Sequence, residues 1–286
     1  MKAKKKIKEL TNSKPVGFVK SFLGEFSGSS VSMMSNGMVY STLIAVVPCL
    51  ALIYAVLNIF GVLDPVMSLL ENYIIETFGD TTGKSLVGYL NYFTQNAVSM
   101  GIVSILSFGV TFVLLIDKIY SIVNKIYHVP KAKKIHIRYL KYIMVIIIGL
   151  AAIVLSVFSI GQFNSLSLKL RNLPALSGIQ MVVKTLVPIA VLFGIMLALV
   201  YLMPNCKVRF LSGLIGAAVG TVGVGVLGMV FKFVVQRSVK YSVIYGSLAT
   251  LMFFFMFLSY LWKLVFASVI VSYVHQKSTT GIEYES

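Results

Sequence analysis

Six long, nearly uncharged apolar runs constrain this chain more than any other feature. They cover Met33 to Phe60 (with Pro48 inside), Val98 to Ile116, Tyr139 to Ile160, Met181 to Met203 (with Pro188 inside), Phe210 to Val230 and Val243 to Val274. Each is close to or above the roughly 20 residues that an α-helix needs to cross the hydrocarbon core of a bilayer. The runs are continuously apolar rather than alternating, so they predict helices and not barrel strands. Composition points the same way. The 286 residues are 58% hydrophobic and only 12% charged, whereas a soluble domain carries about 25% charge. The expected fold is all-α, a polytopic membrane protein with six transmembrane helices.

Lysine and arginine set the orientation. Residues 1–32 hold Lys2, Lys4, Lys5, Lys6, Lys8, Lys14 and Lys20, and residues 117–141 hold Lys118, Lys125, Lys131, Lys133, Lys134, Arg138 and Lys141. Lys207, Arg209 and Lys277 fall on the same side. The other side has Lys84, Lys169, Arg171, Lys184, Lys232, Arg237 and Lys240, and Lys263 lies within the last run. Seventeen against seven places both termini in the cytoplasm, so most of the net charge of +16 encodes topology. The expected organisation is a basic cytoplasmic segment (1–32), a six-helix transmembrane domain (33–274) and a cytoplasmic tail (275–286). No small-x-small cleavage site follows an n-region of normal length, so the first run is expected to stay as an anchor.

Two connections carry amphipathic patterns. Val66, Met67, Leu69, Leu70, Tyr73, Ile74 and Phe78 recur at helical spacing, and Leu86, Val87, Leu90 and Phe93 repeat it. The first outer loop is therefore read as two amphipathic helices lying on the membrane or capping the bundle. Phe18, Phe22 and Phe26, spaced by four, predict an interfacial helix before the first span.

Little in the sequence supports catalysis. Residues 79–85, Gly-Asp-Thr-Thr-Gly-Lys-Ser, miss the phosphate-cradle spacing by one residue and follow no buried strand, so they read as a turn. His128, His136 and His275 are scattered, and Cys49 and Cys206 build neither a disulfide framework nor a metal pattern. The expectation is no enzyme, no cofactor and no metal. The lysine clusters flank membrane spans, where topology and anionic lipid account for them. Membrane lipids, including anionic headgroups, are the expected partners, and nucleic acid is not. A homo-oligomer stays open.

Three groups of residues are candidates for function or packing. Gly213, Gly216, Gly220 and Gly223 share one helix face and let a second backbone approach closely. Ser35, Asn36, Tyr40, Ser41 and Thr42, followed by Pro48, put polarity into the first span, either lining a cavity or bonding across helices. Lys184, Lys232, Arg237 and Lys240 form an expected outer basic rim. Asp117 and Lys118 are read as closing the second span.

The motifs Tyr201-Leu-Met-Pro204-Asn205 with Val208, Gly213 to Gly220, Lys232, and Tyr241-Ser-Val-Ile-Tyr245-Gly246-Ser-Leu-Ala249 come in a fixed order. Upstream stand Tyr40-Ser-Thr-Leu-Ile-Ala-Val-Val-Pro48, Gly101 and Asn124-Lys-Ile-Tyr127. Together they resemble the YihY/virulence factor BrkB family over about residues 30–275. The family's membrane glutamate is replaced here by Ile270, a proline by Met252 and a first-span serine by Ala45. The resemblance implies a six-span bacterial inner-membrane protein, linked to envelope lipid export and serum resistance and once labelled a ribonuclease. With the residues, it gives an expected function: handling an amphiphilic or anionic envelope substrate. Asn36, Tyr40, Ser41, Thr42, Pro48, Lys232, Tyr245 and Gly246 would line or gate the path. The alternatives are a non-transporting membrane scaffold and, last, a membrane-bound hydrolase.

Overall fold

The computed structural model describes residues 14–28, 31–59, 61, 63–99, 101–129, 140, 144, 174–237 and 247–280. All regular structure among them is helical. In chain order the helices are α1 (Lys14–Gly28), α2 (Val31–Ile59), α3 (Leu63–Ser99), α4 (Gly101–Ile126), α5 (Pro174–Leu202), α6 (Phe210–Arg237) and α7 (Ser247–Thr280). Within α5, α6 and α7, the stretches Thr185–Leu202, Phe210–Val234 and Met252–Thr279 are long and apolar enough to cross a membrane. Helices α2 and α4 coincide with the first and second apolar runs. The third run, Tyr139 to Ile160, lies outside the described residues apart from 140 and 144. Helix α4 continues past the second apolar run to Ile126, so Asp117 and Lys118 lie within the helix, just after the run they are expected to close.

Helix α7 organises the bundle, packing on α6, α2, α1, α4 and α5. Its core face, with Phe266, Val269, Ile270, Tyr273 and Val274, meets Tyr120, Val123, Ile126 and Tyr127 of α4 and its end, and Met196 and Val200 of α5. The reverse face of the bundle is just as apolar. Met229 is 74% exposed, alongside Val222, Val226 and Phe233. Such a surface is stable only against lipid, because in water it would form a large exposed apolar patch.

The glycine face forms the tightest helix contact. A Cβ at Gly216 would lie 2.7 Å from the Ser268 carbonyl oxygen and 2.8 Å from the Ser272 Cβ. A Cβ at Gly220 would lie 2.8 Å from the Ser268 Cβ, and one at Gly223 would lie 3.1 Å from Leu264. Helices α6 and α7 therefore approach closely along Gly216–Gly220–Gly223 against Leu264–Ser268–Ser272. Gly213 instead faces Tyr201 of α5 at 3.5 Å. Gly225 and Gly228 meet nothing within 4 Å and lie off this face.

Helix α3 cannot be straight. The Asn91 Nδ2 donates to Glu71 Oε1 at 2.9 Å, although 20 residues of straight helix span about 30 Å. A Cβ at Gly83 would lie 2.7 Å from the Ile75 Cα, where eight residues would span about 12 Å. The segment doubles back near Gly79–Thr82, which makes it two antiparallel arms, as the amphipathic pattern predicts. Before the first span, α1 turns Phe18, Phe22 and Phe26 toward the core, and the Phe22 and Phe26 rings stack at 5.8 Å.

Candidate functional site

Two polar constellations are built into this apolar bundle. The first is a seam between α2, α4 and α7. Lys118 of α4 donates from Nζ to the Gly37 carbonyl and to Ser41 Oγ, each at 2.7 Å. Ser41 Oγ in turn donates to the Gly37 carbonyl at 3.1 Å. Across to α7, the Trp262 Nε1 donates to Thr42 Oγ1 at 2.9 Å, and Ser259 Oγ donates to Asn36 Oδ1 at 2.7 Å. Thr42 Oγ1 in turn donates to the Met38 carbonyl at 2.8 Å. Asn36, Ser41 and Thr42 thus bond across helices, while the buried Ser35 hydroxyl has no hydrogen-bond partner among the described residues. At Gly37 a Cβ would meet the Lys118 ammonium at 3.5 Å, an ordinary contact, so the glycine is not sterically required there.

Lys118 is half-buried between α2 and α4. Its two hydrogen-bond acceptors are neutral, a carbonyl and a hydroxyl. These solvate an ammonium without cancelling its charge. Tyr40, one turn from Asn36 on the same helix, points outward and is 69% exposed.

The second constellation ties one end of the bundle together. Asn124, 1% exposed, accepts at Oδ1 from the Asn205 N–H at 2.6 Å. Its amide donates to the Tyr120 carbonyl at 2.7 Å and to the Met203 carbonyl at 3.3 Å. Beside it, the Tyr127 hydroxyl donates to Ser272 Oγ at 2.9 Å, and its ring meets Tyr273 edge-on at 5.5 Å. Gln276 accepts from the Arg209 N–H and donates to the Lys207 carbonyl, each at 3.0 Å. Ser212 Oγ and His275 Nδ1 are 2.9 Å apart. Helix ends leave carbonyls and N–H groups unpaired; here the Asn124 and Gln276 side chains supply partners for the 203–209 turn. His128 adopts the left-handed backbone (φ 54) that ends the α4 segment, and its ring pairs with Glu25 of α1 at 3.2 Å. The exposed Lys125, Lys207 and Arg209 surround this clamp, so it marks the basic end of the bundle.

The clamp gathers residues that the sequence motifs held apart. Asn124, Pro204 and Asn205 meet, with Pro204 buried beside them. Ile270, standing in place of the family glutamate, is fully buried in apolar packing. Of the expected basic rim, Lys184 lies in α5, Lys232 is exposed on α6 and Arg237 is the last residue of α6. Counted from the turn between α5 and α6, Lys184 and Lys232 are both about 30 Å away, at the opposite end from the clamp. Lys240, Tyr245 and Gly246 lie outside the described residues, and Pro48 falls within α2. Among the described residues no three of His, Cys, Asp and Glu converge as metal ligands.

Sequence reasoning missed Ser259, Trp262, Ser272 and Gln276 as polar partners. A signal was present: Ser268, Ser272 and Gln276 recur every four residues within an apolar run, which marks a buried polar line and not a lipid-facing one. Lys118 was visible; its acceptors on α2, Gly37 and Ser41, were not.

Comparison with known proteins agrees with the motifs. The sequence profile of the virulence factor BrkB family matches residues 22–285. A UPF0761 membrane protein of Photobacterium profundum is 29% identical over 235 residues, covering 82% of this chain and 73% of its own length. One of Actinobacillus pleuropneumoniae is 26% identical over 262 residues, covering 89% of this chain and 92% of its own. A third, of Chlorobium luteolum, is 28% identical over 265 residues; the match covers 88% of this chain and 59% of the longer relative. No solved structure matches the chain. With a profile spanning nearly its whole length and apolar helices to match, this membrane protein belongs to the virulence factor BrkB family.

Proposed function

We propose that the protein moves an anionic, amphiphilic component of the cell envelope across the bacterial cytoplasmic membrane, without nucleotide hydrolysis or other catalysis. In this reading six helices cross the membrane, both termini face the cytoplasm, and lipids are the partners. The observation that carries it is Lys118. A lysine bonded to neutral acceptors between α2 and α4 is a candidate contact for an anion, because cations without an acidic partner within a helix bundle mark solute paths. The surrounding hydroxyls and amide offer an anion alternative partners as it passes. Lys184, Lys232, Arg237 and Lys240 would gather anionic headgroups at the far end.

A second reading, a non-transporting scaffold, draws support from the close α6–α7 contact, which leaves no room for a path between those helices. Thiol accessibility separates the two. With Cys49 and Cys206 replaced by serine, Ser41→Cys on a transport path reacts in native membranes with a water-soluble, anionic thiol reagent. Lys118→Met slows that reaction about tenfold, because the attracting charge is gone. Reaction with membrane-permeant maleimide only would favour the scaffold.

A further inference from the structure

Lys263 is not used by the seam, and its position calls for an explanation. It lies in the apolar stretch Met252–Thr279, about 16 Å from one limit and about 24 Å from the other at the helical rise. If α7 crosses the membrane over this stretch, both its ends lie beyond the reach of a four-carbon stem. Its ammonium instead lies over the Tyr260 ring, 4.9 Å from the centre, a cation–π contact that leaves the charge uncancelled. Lys263 is partly exposed and Tyr260 is 49% exposed. One turn away on α7, Ser259 Oγ is bonded to Asn36 Oδ1, and Asn36 is itself exposed. A phenol, an amide, a hydroxyl and an ammonium thus share one outward-facing line where α2 meets α7. Hydrocarbon is a poor neighbour for all four. A phosphate suits them: it accepts charge-assisted bonds from the ammonium and further bonds from the phenol and the amide.

We propose that Asn36, Ser259, Tyr260 and Lys263 form a laterally open site for the phosphate headgroup of an anionic lipid, entered from the bilayer. The site deepens the transport reading above by naming the substrate class and where it first meets the protein. Acyl chains would stay in the lipid while the headgroup crosses along the polar line.

The chain carries its own reporter, because Trp262 is its single tryptophan and neighbours Lys263. The experiment places the full chain in phosphatidylcholine nanodiscs and titrates short-chain phosphatidylglycerol while recording Trp262 emission. The expected result is a saturable change with phosphatidylglycerol and none with short-chain phosphatidylcholine. Lys263→Met shifts half-saturation upward about tenfold, the cost of one charge-assisted contact, and Lys263→Arg restores most of it. Asn36→Ala, which leaves the charge in place, gives a smaller shift and serves if Lys263→Met fails to fold. An unchanged half-saturation in both Lys263→Met and Asn36→Ala overturns the site, as does the absence of any saturable change in the wild type. Inorganic phosphate producing the same change would make the ligand a free anion and overturn the lipid assignment. Saturable binding without lipid movement in vesicles would sink the transport reading and leave the site standing. Lipid movement with an unchanged Lys263→Met titration would do the reverse.

Discussion

Asn124 shows how much one buried amide can hold. It fills the hydrogen-bonding needs of the Asn205 N–H and the Met203 carbonyl from a single side chain on another helix. Asn124→Ala would leave those groups buried and unpaired, at a cost of about 1–3 kcal/mol. The expected outcome is a lower melting temperature in detergent. Asn124→Asp keeps the acceptor for Asn205 and loses less. Equal melting of the alanine variant and the wild type would show that the 203–209 turn does not depend on this residue. Lys118 is the opposite kind of residue. Ser41 keeps a bond to the Gly37 carbonyl without it, so Lys118→Met should fold and melt near the wild type while losing function. Residues that hold the bundle and residues that serve its path are therefore separable by mutation.

At the scale of helices, the α6–α7 pair depends on two missing side chains. Alanine at Gly216 would force a Cβ to 2.7 Å from a backbone oxygen of α7, which no rotamer can relieve. Gly216→Ala should part the helices at a cost of about 1–3 kcal/mol, visible as lost monodispersity on size exclusion and a lower melting temperature. Gly225→Ala and Gly228→Ala, which meet open space, should change neither measurement. If all three variants behave alike, close approach is not what the glycines provide. Helix α3 makes a second prediction. In a background without Cys49 and Cys206, Glu71→Cys and Asn91→Cys should be joined by oxidation or a short thiol linker, since the native side chains touch at 2.9 Å. A straight helix would hold them about 30 Å apart, and no link would form.

For the whole molecule, what the sequence made legible and what it hid have separate physical causes. Apolar runs show as spans because lipid demands continuous apolarity, whatever the neighbours. The glycine register at 216, 220 and 223 shows for a similar reason: period alone puts those residues on one face. Partner identity needs packing. Nothing in residues 33–60 says that Thr42 will meet Trp262 or that Ser41 will meet Lys118, more than 70 residues away. A charged pair after an apolar run usually marks an interface, and only the packing shows that Gly37 and Ser41 of α2 accept from Lys118. The motif residues Asn124, Pro204 and Asn205 were recognised in order, but that they form one clamp at the basic end emerged only from the fold. That end is tied by six side-chain bonds: four from Asn124 and Gln276 to the turn, one from Tyr127 to Ser272 and one between Ser212 and His275. Under the transport reading, movement of a substrate past it would require those bonds to break and reform.

An anionic amphiphile crossing the bilayer with the help of Lys118 is the central proposal. The most direct measurement is the rate at which a fluorescent phosphatidylglycerol, loaded in the inner leaflet of proteoliposomes, becomes quenchable by an impermeant external reductant. Wild-type vesicles should exceed protein-free vesicles severalfold, Lys118→Met should fall to the protein-free rate, and a phosphatidylcholine analogue should stay slow in all three. Equal rates for wild-type, Lys118→Met and protein-free vesicles would contradict the account and leave the scaffold reading in its place.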